Sequence, residues 1–383
     1  MTVQPNPDQK RLLALDGGGL MGLISLGVLQ EMESQLAEAH NDPEFRLRDF
    51  FDYIGGTSTG AIIAAGLMKG MRVGELIALY RSSGAMMFRP AKIWHKVISL
   101  LSHRYDHTQL NELLKTHLGD KTIFELQDDD PVMRKKHLLV IAHCVETDSC
   151  WPISTNPDGK YNNRDHDDCN LHLPLWKLVR ASTAAPFYFR PQFIEFGKKT
   201  KIERSFIDGG LTGYNNPAMK LFEMATMPEY RCCWPTGADR LMLISVGAGL
   251  AERPVAKSWR MGTPLPSLAR EATLDLMRRT TITTDLACRA IGQCVHGDPI
   301  DAEVGEAQAP RTAPLFSYAR YNIDTSLDNL ARHELAPSGG RLKMDDVGQI
   351  DTFHRIGEIA GRAVDMRAQF GNFLPGPDHD KAS

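Results

Sequence analysis

The sequence lacks several features that would place it in common protein classes. Its formal net charge is −3, so it has no basic excess of the kind usual for a nucleic-acid-binding surface. Its 7 cysteines are odd in number and form no C-x-x-C pair, which is typical of free thiols in a reducing cytosol. It has no apolar run of about 18 residues and no signal-peptide core at the N-terminus. These absences predict a cytoplasmic protein that neither spans a membrane nor binds nucleic acid polymers.

One short stretch carries a catalytic signature. A strand-like apolar run at 50–54 is followed by Gly56-Thr57-Ser58-Thr59-Gly60 and then by small apolar residues at 61–67 that favour a helix. The pattern reads G-x-S-x-G, in which flanking Gly56 and Gly60 allow a sharp strand-to-helix turn that exposes the serine. The positive end of the helix favours a developing alkoxide at Ser58. The alternative is a glycine-rich turn in which Ser58 only caps the helix.

A second glycine-rich loop, Asp16-Gly17-Gly18-Gly19-Leu20-Met21-Gly22, follows a strand predicted at 11–15. Three of its glycines spell G-x-G-x-x-G, the fingerprint of a dinucleotide-binding fold, but the acidic residue that such a fold places after its second strand is missing. Adjacent glycines also turn several backbone amides towards one point, as an oxyanion hole requires. The candidate donors for that role are Gly17, Gly18 and Gly19.

The alternation of strand, glycine loop and helix predicts an α/β fold with a mostly parallel sheet. Polar sites that follow the strands of such a sheet gather at its carboxyl edge. Asp208 ends a predicted strand and precedes Gly209 and Gly210, so it is expected at the same edge as Ser58, although Asp-Gly also favours plain turns. The late histidines His296, His333 and His354 follow no recognisable strand end and are expected to be surface or packing residues.

Four motifs in order resemble those of patatin-like phospholipases: DGGGLMG (16–22), GTSTG (56–60), ASTAAPFYF (181–189), and DGG (208–210) with NNPA (215–218). The resemblance spans residues 11–250. It implies a three-layer α/β/α sandwich, a Ser58 nucleophile with Asp208 as its partner in a dyad without histidine, and lipid ester hydrolysis with no metal or other cofactor. It also implies supporting roles for Asp16, Gly22, Gly56, Gly60 and Gly210. Met21 departs from the family, whose glycine loop usually carries Arg or Lys at that place.

Residues 251–383 are predicted to form a mainly helical C-terminal extension packed on the catalytic domain, with a regulatory role or an oligomer contact. Some bacterial relatives are anti-phage effectors that cyclic oligonucleotides activate, and the length of this chain is similar to theirs. The resemblance therefore suggests a cyclic nucleotide activator and a phospholipid membrane surface as partners, with the protein peripheral to the membrane when active. Basic residues that could face phosphates on such a region, or simply be solvated, are Arg270, Arg278, Arg279 and Arg289.

Three questions stay open at the level of sequence. The stretch 86–101 is either a lid that contacts lipid or an ordinary core helix. The same dyad would also suit a thioesterase or a hydrolase of soluble esters. A non-catalytic module that binds nucleotides through the glycine loop is the alternative from a different functional class.

Overall fold

The computed structural model describes residues 8–88, 105–186, 188–250, 265–301, 303–305, 313–337 and 342–375. The strands are β1 Lys10–Leu15, β2 Tyr53–Thr57, β3 His137–Cys144, β4 Ser149–Ser154, β5 Gln192–Phe196, β6 Ile202–Asp208, β7 Leu241–Val246, β8 Gln293–His296 and β9 Ser317–Tyr321. The helices are α1 Gly22–Ala39, α2 Leu47–Phe50, α3 Thr59–Met68, α4 Val73–Met87, α5 His107–Leu118, α6 Ile123–Asp129, α7 Pro131–Lys135, α8 Leu175–Ser182, α9 Ala218–Thr226, α10 Leu265–Ile291, α11 Leu327–Arg332, α12 Ile350–Gly361 and α13 Met366–Phe370. Within these ranges no helix is both long and apolar enough to cross a bilayer.

All nine of these strands belong to one sheet, in the order β5-β6-β3-β2-β1-β7-β9-β8, with β4 paired to β3 outside that path. The central strands β3, β2, β1, β7, β9 and β8 run parallel. The strands β4, β5 and β6 pair in antiparallel fashion at one side. Parallel strands need crossover connections, which the helices between them provide.

Both faces of the sheet are covered by helices because the central strands are apolar on both sides. On β1, Leu13 and Leu15 belong to a core shared with helices α1, α3, α4, α5, α8 and α12. Leu12 and Ala14 point the other way, into a core shared with α9 and α10. The expected three-layer α/β/α sandwich with a mostly parallel sheet is therefore confirmed.

The C-terminal part of the chain, predicted as an extension over residues 251–383, contributes two strands to the central sheet. Strand β9 pairs with β7 along its whole length, so the predicted boundary after residue 250 falls between two neighbouring strands of one sheet. Helix α12 packs on α1 so closely that a Cβ on Gly27 would lie 2.2 Å from the carbonyl carbon of Gly357. The described residues from 265 onward are mainly helical, and their strands β8 and β9 extend the sheet beyond β7.

Several elements differ locally from their predictions. Phe50 ends the short helix α2 instead of opening a strand. The single closing helix expected over 349–369 is two helices, α12 and α13, separated at 362–365. The unpredicted β4 carries Pro152 and pairs only with β3, in keeping with the restriction of proline to strands with a free edge. Most of the stretch 86–101 lies outside the described residues, which include only its first three positions.

Candidate active site

The G-x-S-x-G turn lies where the sequence predicts it, between the end of β2 and the start of α3. Ser58 has φ 54° and ψ −121°, a conformation that a residue with a side chain rarely adopts. The turn is tight enough that a Cβ on Gly56 would lie 2.1 Å from the Gly60 carbonyl oxygen, and one on Gly60 would lie 2.2 Å from the Leu15 carbonyl oxygen. Both glycines are therefore required by close backbone approach, and Ser58 is left half-buried above the helix N-terminus.

Ser182 holds the backbone of this turn. Its Oγ accepts a hydrogen bond of 2.9 Å from the Ser58 amide and donates one of 2.6 Å to the Ile141 carbonyl. Ser182 is fully buried at the end of α8. The sequence places it in the ASTAAP motif, but the motif alone gave no indication of this supporting role.

The glycine loop packs beside Ser58. A Cβ on Gly17 would lie 3.1 Å from the Ser58 Cβ. The Gly17 amide donates to the Asn215 carbonyl at 3.1 Å, so this candidate oxyanion donor is already occupied. The amides of Gly18 and Gly19 make no hydrogen bond with any other described residue. Of the three predicted donors, only these last two therefore have amides available for a ligand.

Gly19 has a positive φ of 59° and lies against Met344. The Leu20 amide donates to the Met344 carbonyl at 2.8 Å, and a Cβ on Gly19 would lie 2.5 Å from the same oxygen. The glycine loop is therefore supported by a residue more than 300 positions later in the chain. Sequence reasoning missed Met344, since no local pattern marks it.

Asp16, predicted as a supporting residue, forms a buried ion pair with Arg320 on β9. The two side chains are each 4% exposed and meet through bonds of 2.9 and 2.6 Å. Arg320 also donates to the Ser245 hydroxyl at 2.7 Å. This pair joins the start of the glycine loop to the C-terminal half of the sheet. The available signal for it was an arginine within SYARY, a strand whose five residues are all buried.

Asp208 lies at the same sheet edge as Ser58. Thr57 pairs with Ile141 on one side of β3, and the next residue, Ala142, pairs with Asp208. The carboxylate is 1% exposed; its Oδ1 accepts a bond of 2.8 Å from the Gly210 amide, whereas Oδ2 has no hydrogen-bond partner. The Ser58 hydroxyl is near enough to influence this carboxylate but makes no hydrogen bond of ordinary geometry with Oδ2.

Burial raises the pKa of Asp208 to about 6, from an ordinary value of 3.8. The Ser58 hydroxyl, the Gly210 amide and the positive charge of Arg180 oppose this rise by favouring the ionised form. Arg180 is fully buried and donates to the Asn111 side chain and the Arg190 carbonyl. The result is a carboxylate that is ionised at neutral pH yet basic enough to accept a proton.

Ser58 and Asp208, together with Gly18 and Gly19, line one cavity that is open to solvent; the empty space in it and in its opening is about 810 Å³. Most of its remaining wall is apolar, and includes Ile62, Tyr80, Met87, Phe88, Leu110, Phe189, Leu274 and Met277. The polar edge of the cavity carries a hydroxyl, a carboxylate and two amides, and its interior is apolar.

The two remaining glycines predicted to support the site, Gly22 and Gly210, pack next to it. A Cβ on Gly22 would lie 2.7 Å from the Thr59 Oγ1, and one on Gly210 would lie 2.5 Å from the Met277 Cε. A Cβ at Gly22 would therefore clash with the short Thr59 side chain, whereas one at Gly210 would first displace the flexible end of Met277.

None of the late histidines reaches the cavity. His296 stacks on Tyr321 with ring centroids 4.9 Å apart, His333 is exposed, and His354 is buried on α12 near Glu358. No histidine among the described residues lines the cavity around Ser58. In the same part of the chain, no group of three or more His, Cys, Asp or Glu is placed to hold a metal ion.

Comparison with known proteins gives the family. The model of the patatin-like phospholipase family matches residues 13–222. Patatin-17 of Solanum cardiophyllum is 24% identical over 252 residues, which cover 62% of this chain and 60% of the relative. Patatin-like protein 4 of Arabidopsis thaliana is 27% identical over 262 residues, which cover 63% and 60%. The chain thus spans about three fifths of the length of these curated relatives.

Among solved structures, VipD from Legionella pneumophila aligns with 94% of this chain and 67% of its own at 14% identity and a TM-score of 0.34, which is too distant to support an argument. The family match does not depend on that alignment. It covers more than half of the chain and includes the glycine loop, the Ser58 turn and Asp208. The chain therefore belongs to the patatin-like phospholipase family.

Proposed function

We propose that this protein is a serine acyl hydrolase that cleaves ester bonds of membrane phospholipids, in the manner of a phospholipase A. The observation that carries the proposal is the shared cavity. It places a serine on a strained turn beside a buried carboxylate with one unpartnered oxygen, at the mouth of an apolar interior. A nucleophile, a base and a binding site for an acyl chain are the components that this reaction needs.

In the proposed reaction the Ser58 Oγ attacks the ester carbonyl while Asp208 Oδ2 accepts its proton, directly or through one water molecule. The amides of Gly18 and Gly19 donate hydrogen bonds to the oxyanion of the tetrahedral intermediate, where one such donor is typically worth about 3–4 kcal/mol. Collapse of the intermediate expels the alcohol, which takes the proton from Asp208 and leaves an acyl-enzyme. Water then hydrolyses the acyl-enzyme with Asp208 again acting as base.

The apolar wall favours a long acyl chain over a small soluble ester. Burying each CH₂ group of a chain contributes about 0.8 kcal/mol, so a cavity lined by Ile62, Leu110 and Phe189 selects for length. The rival assignment, a thioesterase or soluble-ester hydrolase on the same dyad, predicts activity on soluble esters with no gain at a lipid interface.

Hydrolysis by purified protein tests the proposal. Wild-type protein and the Ser58→Ala variant are compared on phospholipid vesicles, a soluble short-chain ester and an acyl thioester. Ser82→Ala, which removes an exposed serine on α4, is the matched control. We expect phospholipid hydrolysis to fall at least a thousandfold in Ser58→Ala and to be unchanged in Ser82→Ala. Full activity of Ser58→Ala would refute the nucleophile, and activity on the thioester alone would favour the rival.

Regulation is the finer part of the proposal. Regulation is expected because unchecked phospholipase activity damages membranes. The resemblance suggests that a cyclic nucleotide activates the enzyme in anti-phage defence. It also suggests a cytoplasmic enzyme that associates peripherally with the membrane and can form homo-oligomers. A panel of cyclic nucleotides added to the same assay tests activation. High activity without any nucleotide would argue against it.

A further inference from the structure

Tyr105 packs behind one wall of the acyl cavity, the apolar cavity beside Ser58. Phe88, Tyr188 and Phe189 line this cavity and form its aromatic wall. The Tyr105 ring meets Phe88 edge to face, with ring centroids 5.4 Å apart. Its centroid lies 5.9 Å from that of Phe189 and 6.0 Å from that of Tyr188. The Tyr105 amide also donates a hydrogen bond of 3.0 Å to the Tyr188 carbonyl. Tyr105 is 5% exposed and therefore supports the aromatic wall from behind.

The Tyr105 hydroxyl reaches the segment that supports the glycine loop. It donates a hydrogen bond of 2.7 Å to Oδ2 of Asp345, which is buried. The residue before it, Met344, accepts a hydrogen bond of 2.8 Å from the Leu20 amide and packs against Gly19. One tyrosine side chain thus joins the wall that would bind an acyl chain to the loop that would bind the oxyanion.

The glycine loop depends on such contacts for its placement. Its three consecutive glycines at 17–19 have no side chains, so contacts to the backbone must fix them. The Gly17 amide donates to the Asn215 carbonyl on one side, and the Leu20 amide donates to the Met344 carbonyl on the other. The two amides available to a ligand lie between these points. An oxyanion hole requires donors about 2.7–3.1 Å from the oxyanion, so a displaced loop stabilises the transition state less well.

We propose that Tyr105 is a positioning residue for the acyl transfer reaction. Its hydroxyl, bound to Asp345, holds Met344 and thereby the glycine loop in the geometry that an oxyanion needs. This rests on the proposed function, since the oxyanion is that of a lipid ester. An acyl chain packed against the aromatic wall restrains Tyr105 from the other side, so occupancy of the acyl cavity is coupled to the position of the loop. Long acyl chains therefore raise kcat as well as lowering KM.

The change Tyr105→Phe removes the hydroxyl and keeps the ring. On p-nitrophenyl decanoate we expect kcat to fall about tenfold and KM to stay within about twofold, because the loop amides are misplaced while the aromatic wall is kept. On p-nitrophenyl butyrate the fall in kcat should be smaller, since a short chain packs less against the wall. An unchanged kcat, or equal falls for the two chain lengths, would overturn the proposal.

Tyr53→Phe is the matched control. It also removes a buried tyrosine hydroxyl, which is bound to the Ser154 Oγ at 2.6 Å, but at the other end of β2 from Ser58. We expect both its kcat and its dependence on chain length to equal those of the wild type. A loss of kcat as large as that of Tyr105→Phe would show that any lost buried hydroxyl has this effect, and would contradict the positioning role.

A double-mutant cycle isolates the contact itself. Asp345 has a further interaction besides the one with Tyr105, so the effect of Asp345→Ala alone includes more than this hydrogen bond. The relevant quantity is the loss of kcat that Asp345→Ala causes in the wild type compared with the loss it causes in Tyr105→Phe. We expect the second loss to be smaller by about the tenfold effect of Tyr105→Phe. Fully additive losses would overturn the proposal.

The last test needs no hydrolysis. Hydrogen–deuterium exchange of the glycine loop is measured in Ser58→Ala and in Ser58→Ala/Tyr105→Phe, with and without 1-decanol as an uncharged analogue of an acyl chain and with 1-butanol as the solvent control. We expect decanol to slow exchange of the loop in the first protein and much less in the second. No slowing by decanol, or equal slowing in both proteins, would overturn the coupling, and this result stands even if Ser58 proved not to be the nucleophile.

Discussion

Asp208→Asn should abolish activity and at the same time stabilise the protein at neutral and higher pH. The pKa of Asp208 is about 6 in the folded protein because of burial and 3.8 ordinarily, a rise of roughly 2 units. Each unit corresponds to about 1.36 kcal/mol, so ionising this buried carboxylate costs the folded state about 3 kcal/mol once both states are charged. Asparagine has nearly the same shape and no charge, so the variant avoids this cost.

The sign follows from the direction of the shift. Because the folded pKa lies above the unfolded one, the contribution of Asp208 is favourable below about pH 4 and is lost as pH rises through 6. We therefore expect the free energy of unfolding of Asp208→Asn, relative to wild type, to increase by about 3 kcal/mol between pH 3 and pH 8.

Urea denaturation at several pH values measures this difference, in which any constant effect of the substitution cancels. Asp239→Asn, a change at an exposed position, is the control for the chemistry of the substitution. If the difference in free energy of unfolding between Asp208→Asn and wild type stayed constant across this pH range, or decreased with pH, burial would not be raising the pKa of Asp208.

Three further outcomes follow from the site. The kcat/KM for a lipid ester should fall about tenfold per pH unit below pH 6, because protonated Asp208 cannot accept the serine proton; a pH–rate profile with no break near 6 would contradict this. Arg320→Met should lower the free energy of unfolding by about 3–5 kcal/mol, since it leaves Asp16 charged and buried, and chemical denaturation near pH 8 measures the loss. Ser182→Ala should lower kcat about tenfold with little change in KM, because the Ser58 amide loses its acceptor; steady-state kinetics on a soluble ester would show it, and an unchanged kcat would exclude this role.

The sequence was informative where function depends on local backbone geometry. A strand followed by glycines is a local pattern, so the Ser58 turn, the glycine loop and the strand ending at Asp208 could all be located before the fold was known. The expectation that they meet at one edge rested on the rule that parallel strands share a direction. That rule does not apply to Asp208, because β6 runs antiparallel to β3. Asp208 lies near Ser58 because the end of β6 pairs with the last three residues of β3, next to the end of β2.

Features that depend on distant parts of the chain could not be predicted in this way. Met344 supports the glycine loop through its carbonyl oxygen, which any residue carries, so its identity has no signature. The engaged Gly17 amide likewise depends on the carbonyl of Asn215, nearly 200 positions later. The short strand β8 has four residues and a register irregularity, too little pattern to distinguish it from a loop.

The pairing of Asp16 with Arg320 has a consequence for biosynthesis. The two residues are 304 positions apart, so a growing chain exposes Ser58 and Asp208 to the cell long before the partner of Asp16 has been made. Until then the glycine loop begins with a charge that has no counterion, and β7 lacks its neighbour β9. Nascent or truncated chains should therefore not assemble the catalytic edge. The order of translation would thus delay assembly of the candidate site until residue 320 has left the ribosome.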